Sequence, residues 1–285
     1  MIDTNIVYNG SSELVLKNIE DNSIDLVVTS PPYDDLRKYL AEKSTWNFHM
    51  FQCIADELIR TLKDGGVIVW NVNDKTEGGS ETGTGFKQAL YFMERGLKLN
   101  DTMVWTKPNP CPSFDHLPRY TQSFEFMYVF SKGAPKTFNP IMRECKSAGR
   151  HYKSTMRNGG GEYGTRELDY TVNSHQVDYN VWNIAVAPNK KYFEVDGELL
   201  KHPAVFPYEL PYRHIQTWTN QGDVVLDPFA GSGTTLLAAR DLNRKYIGIE
   251  MSEKYHKMIN IRLETDFPYL KDRKDTPVSD EYFLW

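Results

Sequence analysis

Cysteine is scarce in this chain. Cys53, Cys111 and Cys145 are odd in number and far apart, with no CxxC pair and no histidine at ligand spacing. A disulfide framework and a zinc site are therefore not expected, and ordinary reduced thiols are. Long apolar runs are also missing: none approaches the roughly twenty residues of a membrane span, and the start MIDTNIVYNG has neither a basic segment nor a signal-like apolar one. The expectation is a soluble cytoplasmic protein with no membrane partner. Repeats and low-complexity tracts are absent. Basic charge is not in excess, with 33 Lys and Arg against 38 Asp and Glu and a net charge of −5. That argues against coating nucleic acid through bulk charge, but not against a local basic surface. With 285 residues, 40% of them hydrophobic, the chain can bury one large core or one core plus a small appended unit.

What is present is an alternation of strands and helices. Residues 5–8 and 24–28 read as strands with a brief helix at 11–19 between them. Met50, Phe51, Ile54, Leu58, Ile59 and Leu62 share one face of a helix over 48–62, which Lys63-Asp64-Gly65-Gly66 is expected to stop before a buried strand at 67–72. The segment 73–85 carries Gly78, Gly79, Gly83 and Gly85 in no phosphate-loop spacing, and reads as a mobile loop. A helix at 86–95, strands at 102–106 and 124–130, a helix at 206–219, a strand at 223–226, a helix at 234–242, a strand at 245–249 and a helix at 255–263 complete the pattern. Such alternation implies a mostly parallel sheet covered on both faces, an α/β fold.

Two strand ends carry the chemistry. Thr29-Ser30-Pro31-Pro32-Tyr33 follows Ile24–Val28, and brings a hydroxyl, backbone carbonyls no helix has claimed and an aromatic face to the carboxyl edge of the sheet. That suits a flat base with an amino group. Asp227-Pro228-Phe229-Ala230-Gly231-Ser232-Gly233 joins a strand to a helix, and its glycines allow close backbone approach to a ligand. Glu250, at the end of the next strand, is suited to accept hydrogen bonds from ribose hydroxyls. The glycines depart from the dinucleotide fingerprint, so a nucleoside without pyrophosphate, such as S-adenosylmethionine, fits best. Between these motifs Lys132, Lys136, Arg143, Lys146, Arg150, Lys153 and Arg157 meet Glu144 as the only acid up to residue 157, with Phe138, His151 and Tyr152 interleaved. A solvated loop face is the plain alternative; in an acidic chain a phosphate-tracking surface explains the excess better.

On these residues the chain resembles the amino-methylating DNA methyltransferases of the permuted beta group. There the Ser/Asp-Pro-Pro-Tyr motif comes first, a variable target-recognition region lies in the middle and the cofactor motif comes late. Lys201-His202-Pro203-Ala204-Val205-Phe206-Pro207, Gly231-Ser232-Gly233-Thr234-Thr235 and Ile247-Gly248-Ile249-Glu250 extend the likeness. The resemblance implies a Rossmann-like seven-stranded methyltransferase domain formed by 1–131 and 201–265, a target-recognition insert at 132–200 and a tail at 266–285. It implies Ser30, Pro31, Pro32 and Tyr33 in the catalytic pocket, and Asp227, Phe229, Gly231, Gly233, Glu250, Pro203 and Phe206 around S-adenosylmethionine, with no metal. Lys107, Asn109, Arg143, Lys146, Arg150, Lys153 and Arg157 are candidate DNA contacts. Many relatives have Gly-Asp after the first strand where this chain has Asn9-Gly10-Ser11-Ser12, so no acidic contact is carried over there.

The expected activity is methyl transfer from S-adenosylmethionine to the exocyclic amine of a base flipped out of double-stranded DNA. Cytosine N4 is favoured, because Ser-Pro-Pro-Tyr is the more typical form there; adenine N6 is the alternative. The protein is expected as a monomer or homodimer, with or without a companion restriction nuclease. Carbon-5 methylation through Cys111 is rejected because the pocket strand carries Ser30. Methylation of a protein glutamine is disfavoured by motif order, and a decayed DNA-binding protein by the retention of Ser30, Tyr33, the glycines and Glu250 together.

Overall fold

The structure, a computed structural model, describes residues 3–32, 46–110, 119–157, 165–186, 193–195, 197–200 and 207–265. Eight strands among them form one sheet: β1 (Ile6–Asn9), β2 (Ile24–Thr29), β3 (Leu62–Val72), β4 (Lys98–Thr106), β5 (Phe124–Ser131), β6 (Val181–Asn183), β7 (Val224–Asp227) and β8 (Lys245–Glu250). Their order is β1-β8-β7-β2-β3-β5-β4-β6, parallel except where β5 runs against β3 and β4. Seven of these strands come from the two segments expected to make one domain. The eighth, β6, comes from the intervening segment and pairs Trp182 with Trp105.

The helices are α1 (Ser12–Val15), α2 (Phe48–Thr61), α3 (Thr84–Glu94), α4 (Glu209–Trp218), α5 (Thr234–Asp241) and α6 (Glu253–Glu264). Asn47 caps α2 by accepting from the Met50 N–H at 3.0 Å, which satisfies one of the orphan donors of the first turn. The apolar face read from sequence is the buried one: Phe51, Ile54 and Leu58 disappear into the core with Trp70 and Phe92. Each such side chain contributes roughly 1.5–3 kcal/mol by leaving water. Met103, Met127, Val129, Trp105, Trp182, Leu210 and Ile215 fill the other face of the sheet. No helix among the described residues is long and apolar enough to cross a membrane.

Three local expectations change. Lys63–Gly66 do not form a loop after α2: Leu62 already pairs with Ile24, and Gly65, at φ 78°, takes up a register shift inside β3. A sequence read for helix stops cannot see that a strand begins on the next residue. Second, 73–85 is not plain loop, because Thr76–Glu77 and Ser80–Glu81 pair as a small hairpin around Gly78 and Gly79, both at positive φ. Third, β4 starts at Lys98, four residues before the predicted 102, as the long antiparallel ladder with β5 extends it.

Candidate active site

Sheet order brings the two motifs together. β7 lies beside β2, with Val225 opposite Leu26 and Leu226 opposite Val27, so both strands end at the same carboxyl edge. Thr29 Oγ1 donates to Asp227 Oδ1 at 2.7 Å, and the Phe229 N–H donates to the same oxygen at 3.1 Å. Ser30 follows directly, and Pro31 behind it is buried. Tyr33, Pro203 and Phe206 lie outside the described residues, as does Cys111.

The loop after β7 is held from several sides. The Gly231 N–H donates to Glu250 Oε2 at 2.8 Å, and the Ser252 N–H to Glu250 Oε1 at 2.8 Å. Ala230 N–H reaches the Ile249 carbonyl at 2.9 Å. Ser12 donates through its hydroxyl to the Pro228 carbonyl, and the buried Arg262 of α6 donates to the Ser232 carbonyl. The Phe229 ring packs edge-on against Trp46 at 5.3 Å and Trp70 at 6.3 Å. Ser12, which stands near the expected Gly-Asp position, thus braces the loop instead of offering a carboxylate. Sequence reading missed Ser12, Trp46 and Arg262, since no local pattern ties them to partners 216, 183 and 30 positions away.

Gly231 sits at φ 53° and Gly233 at φ 76°, both left-handed. A Cβ on Gly233 would come within 2.7 Å of Ile259, so close packing of α5 on α6 requires that glycine independently of any ligand.

Both acids are shifted upward. Burial pushes Asp227 up to about 6, against the hydrogen bonds from Thr29, Thr235 and Phe229 that favour its charge. Burial likewise raises Glu250 to about 7, with the Asp227 charge adding to it and the N–H groups of Ser252, Gly231 and Met251 opposing. A pair of desolvated carboxyls beside a glycine turn is well matched to a ligand carrying hydroxyls and positive charge.

The candidate DNA contacts divide. Lys107 bonds Glu125 at 2.6 Å, and Asn109 is exposed. In the intervening segment Met142–Glu144 pairs with His175–Val177, and His151–Arg157 with Thr165–Thr171. Arg143 stacks on Tyr179 at 3.8 Å; Lys146 and Arg150 are exposed. Lys153 and His151 both meet Asp169 across the hairpin, at 3.2 and 3.0 Å. Part of the basic excess is therefore offset by an acid on the partner strand. Arg157 pairs with Thr165 through its backbone; its side chain lies outside the description.

The profile of the DNA methylase family matches residues 24–261. The orphan methyltransferase M.BamHII of Bacillus amyloliquefaciens is 45% identical over 251 residues, covering 87% of this chain and 91% of its own. Among solved structures, the chain is similar to one described as PvuII DNA methyltransferase (cytosine-N4-specific), with TM-score 0.63 and 22% identity over 91% of this chain and 86% of that one. The M1.HpyAVI–SAM complex gives TM-score 0.59 and 24% identity over 91% and 99%. At these identities the solved structures carry the fold alone.

Proposed function

This chain belongs to the DNA methylase (N6/N4 methyltransferase) family, and on that premise we propose that it methylates the exocyclic amine of a base flipped out of double-stranded DNA, cytosine N4 in the first instance. The observation that carries the reading is the junction of Ser30-Pro31-Pro32 with the Asp227–Gly233 loop through the Thr29–Asp227 hydrogen bond. S-adenosylmethionine is the cofactor and supplies, when bound, a methyl group on positively charged sulfur. Glu250 takes the ribose hydroxyls; Asp227, Phe229, Gly231 and Gly233 border the methionine part; Pro203 and Phe206 help close the pocket.

An exocyclic amine is a poor nucleophile because its lone pair is delocalised into the ring. The Ser30 hydroxyl oxygen and the Pro31 carbonyl accept hydrogen bonds from its two N–H groups, which favours a pyramidal nitrogen with its lone pair available. Attack in line on the methyl then needs no covalent enzyme intermediate, and positioning supplies much of the rate. Tyr33 stacks on the base, which must leave the duplex to be reached. Residues 132–200 act as the target-recognition part, with Arg143, Lys146, Arg150, Lys153, Arg157 and Asn109 as DNA contacts. What favours cytosine is that Ser-Pro-Pro-Tyr is the form more typical of cytosine-N4 relatives and Asp-Pro-Pro-Tyr of adenine-N6 ones; a Ser hydroxyl and an Asp carboxylate both accept from an amine. The reaction needs no companion nuclease.

Incubation with labelled S-adenosylmethionine and DNA, digestion to nucleosides and mass spectrometry tests the reading. N4-methylcytosine is the expected product; N6-methyladenine would replace cytosine by adenine; label on protein and none on DNA would overturn the proposal.

A further inference from the structure

A charged cluster adjoins the pocket without a part in the chemistry so far. Glu125, at the start of β5, is buried, and its carboxylate accepts from Lys107 Nζ at 2.6 Å and from Asn71 Nδ2 at 2.8 Å. Only 18% of the Lys107 side chain and 7% of the Glu125 side chain are exposed. Burying such a pair costs desolvation that apolar residues of similar size would avoid, so stability is a weak reason for it. Its surroundings are fixed. The Lys107 ammonium lies 4.9 Å from the centre of the Trp105 ring, and Trp105 Nε1 donates to the Ile184 carbonyl at 2.7 Å.

Register ties the cluster to Ser30. Thr29 of β2 pairs with Trp70 of β3, so Asn71 is the lateral neighbour of Ser30 on the next strand. Glu125 belongs to β5, one strand further, and all three residues stand at the carboxyl edge that β2 and β3 share. Two strand spacings of about 4.8 Å separate Ser30 from the Glu125 strand, roughly 10 Å. A base whose amine rests on Ser30 turns its neighbouring ring acceptor, N3 of cytosine or N1 of adenine, in this direction. An ammonium has three donors and no acceptor, so it suits that ring atom and repels an amine.

We infer that Lys107, held by Glu125, which Asn71 in turn holds, donates to the ring acceptor beside the target amine. Lys107 is then a base-contacting residue of the pocket, and Glu125 a positioning residue that fixes its ammonium. The inference rests on the methyl-transfer reading above.

The test compares DNA carrying the normal target base with DNA carrying its deaza analogue, 3-deazacytosine or 1-deazaadenine according to the nucleoside digest. The intact enzyme should lose about tenfold or more in kcat/KM on the analogue, as expected where a built donor loses its acceptor. Lys107→Met should be slow on both substrates and discriminate little between them, with calorimetric affinity for S-adenosylmethionine unchanged. Glu125→Gln should fall between, and lose discrimination in kcat more than in KM. Equal rates of the intact enzyme on the two substrates would overturn the inference even if no variant folds. So would a Lys107→Met enzyme that keeps full discrimination and only binds DNA less tightly with a shallower salt dependence, since that marks a phosphate contact. Failure to methylate any DNA would instead overturn the methyl-transfer reading, so the two failures are distinct.

Discussion

The hydroxyl of Thr29 donates a 2.7 Å hydrogen bond to Oδ1 of Asp227, joining the ends of two strands that stand 198 positions apart in the chain. Thr29 is fully buried and Asp227 nearly so. The bond therefore does two things at once: it fixes the pocket strand against the cofactor loop, and it supports a carboxylate in a site that disfavours its charge.

Thr29→Val keeps the shape and removes the donor. The loss should be about 1–3 kcal/mol, the cost of leaving a buried acceptor short of a partner. Denaturant titration should register it, together with weaker S-adenosylmethionine binding in calorimetry. Unchanged stability and unchanged affinity would show that the bond is incidental.

Asp227, raised from 3.8 to about 6, and Glu250, raised from 4.5 to about 7, both hold protons in the fold that the unfolded chain has already released. Between about pH 4 and pH 7 these two groups therefore make the free protein less stable as pH rises, and above that window their effect is constant. S-adenosylmethionine brings positive charge and hydroxyl donors, which favour the ionised acids. Its affinity should rise from pH 5.5 to 7.5, and a flat or falling calorimetric profile would contradict this.

His214 gives an effect of opposite sign. Fully enclosed, with its ring tilted against that of Trp182 at 4.6 Å between centroids, it is pushed down to about 3 from 6.5 by burial, with Arg213 adding to the shift. Its Nδ1 has no hydrogen-bond partner among the described residues. The unfolded chain takes up this proton below about 6.5 and the fold does not, so stability falls as pH drops from 6.5 towards 3. His214→Phe keeps the ring contact and removes the titration. The variant should lose less stability than the parent between pH 7.5 and pH 4.5 in urea titrations, and identical pH slopes would refute the assignment.

Gly233→Ala should be destabilising by about 1–3 kcal/mol, the cost of a non-glycine residue held in an unfavoured backbone region. Its φ of 76° and the Ile259 methyl 2.7 Å from the new Cβ act together. Shortening the neighbour as well, in Gly233→Ala with Ile259→Ala, should relieve the clash but not the backbone strain. A thermal melt of Gly233→Ala matching the parent would be incompatible with this packing.

Tyr33→Ala should reduce methylation by far more than it reduces S-adenosylmethionine affinity, if the ring stacks on the base. Single-turnover rates and calorimetry on one preparation separate the two. Parallel loss of both would place Tyr33 in cofactor binding.

Much of the candidate site was legible in the sequence. The Ile24–Val28 run ending in Thr-Ser-Pro-Pro, and the Asp227–Gly233 turn between β7 and α5, are local patterns written in consecutive residues. The Lys107–Glu125–Asn71 cluster was not readable in this way. Its members come from the edges of three strands, and nothing in the spacing of 71, 107 and 125 announces that β5 runs between β3 and β4. The basic count from 132 to 157 likewise missed Asp169, which faces Lys153 only because a hairpin folds it across.

Taken alone, the sequence determined most strands and helices of 5–131 and 207–265, though not the strands at 76–81 or between 142 and 183, together with which helix faces are buried and which two strand ends carry polar chemistry. These follow from side-chain periodicity and backbone preference over a few neighbouring residues. The tertiary structure decided that β2 and β7 lie side by side, that Gly233 serves the packing of Ile259, and that Glu250 and Asp227 are desolvated enough to hold protons near neutrality. Adjacency and burial depend on how distant segments cross and cover one another, and that is a property of the whole sheet rather than of any stretch within it.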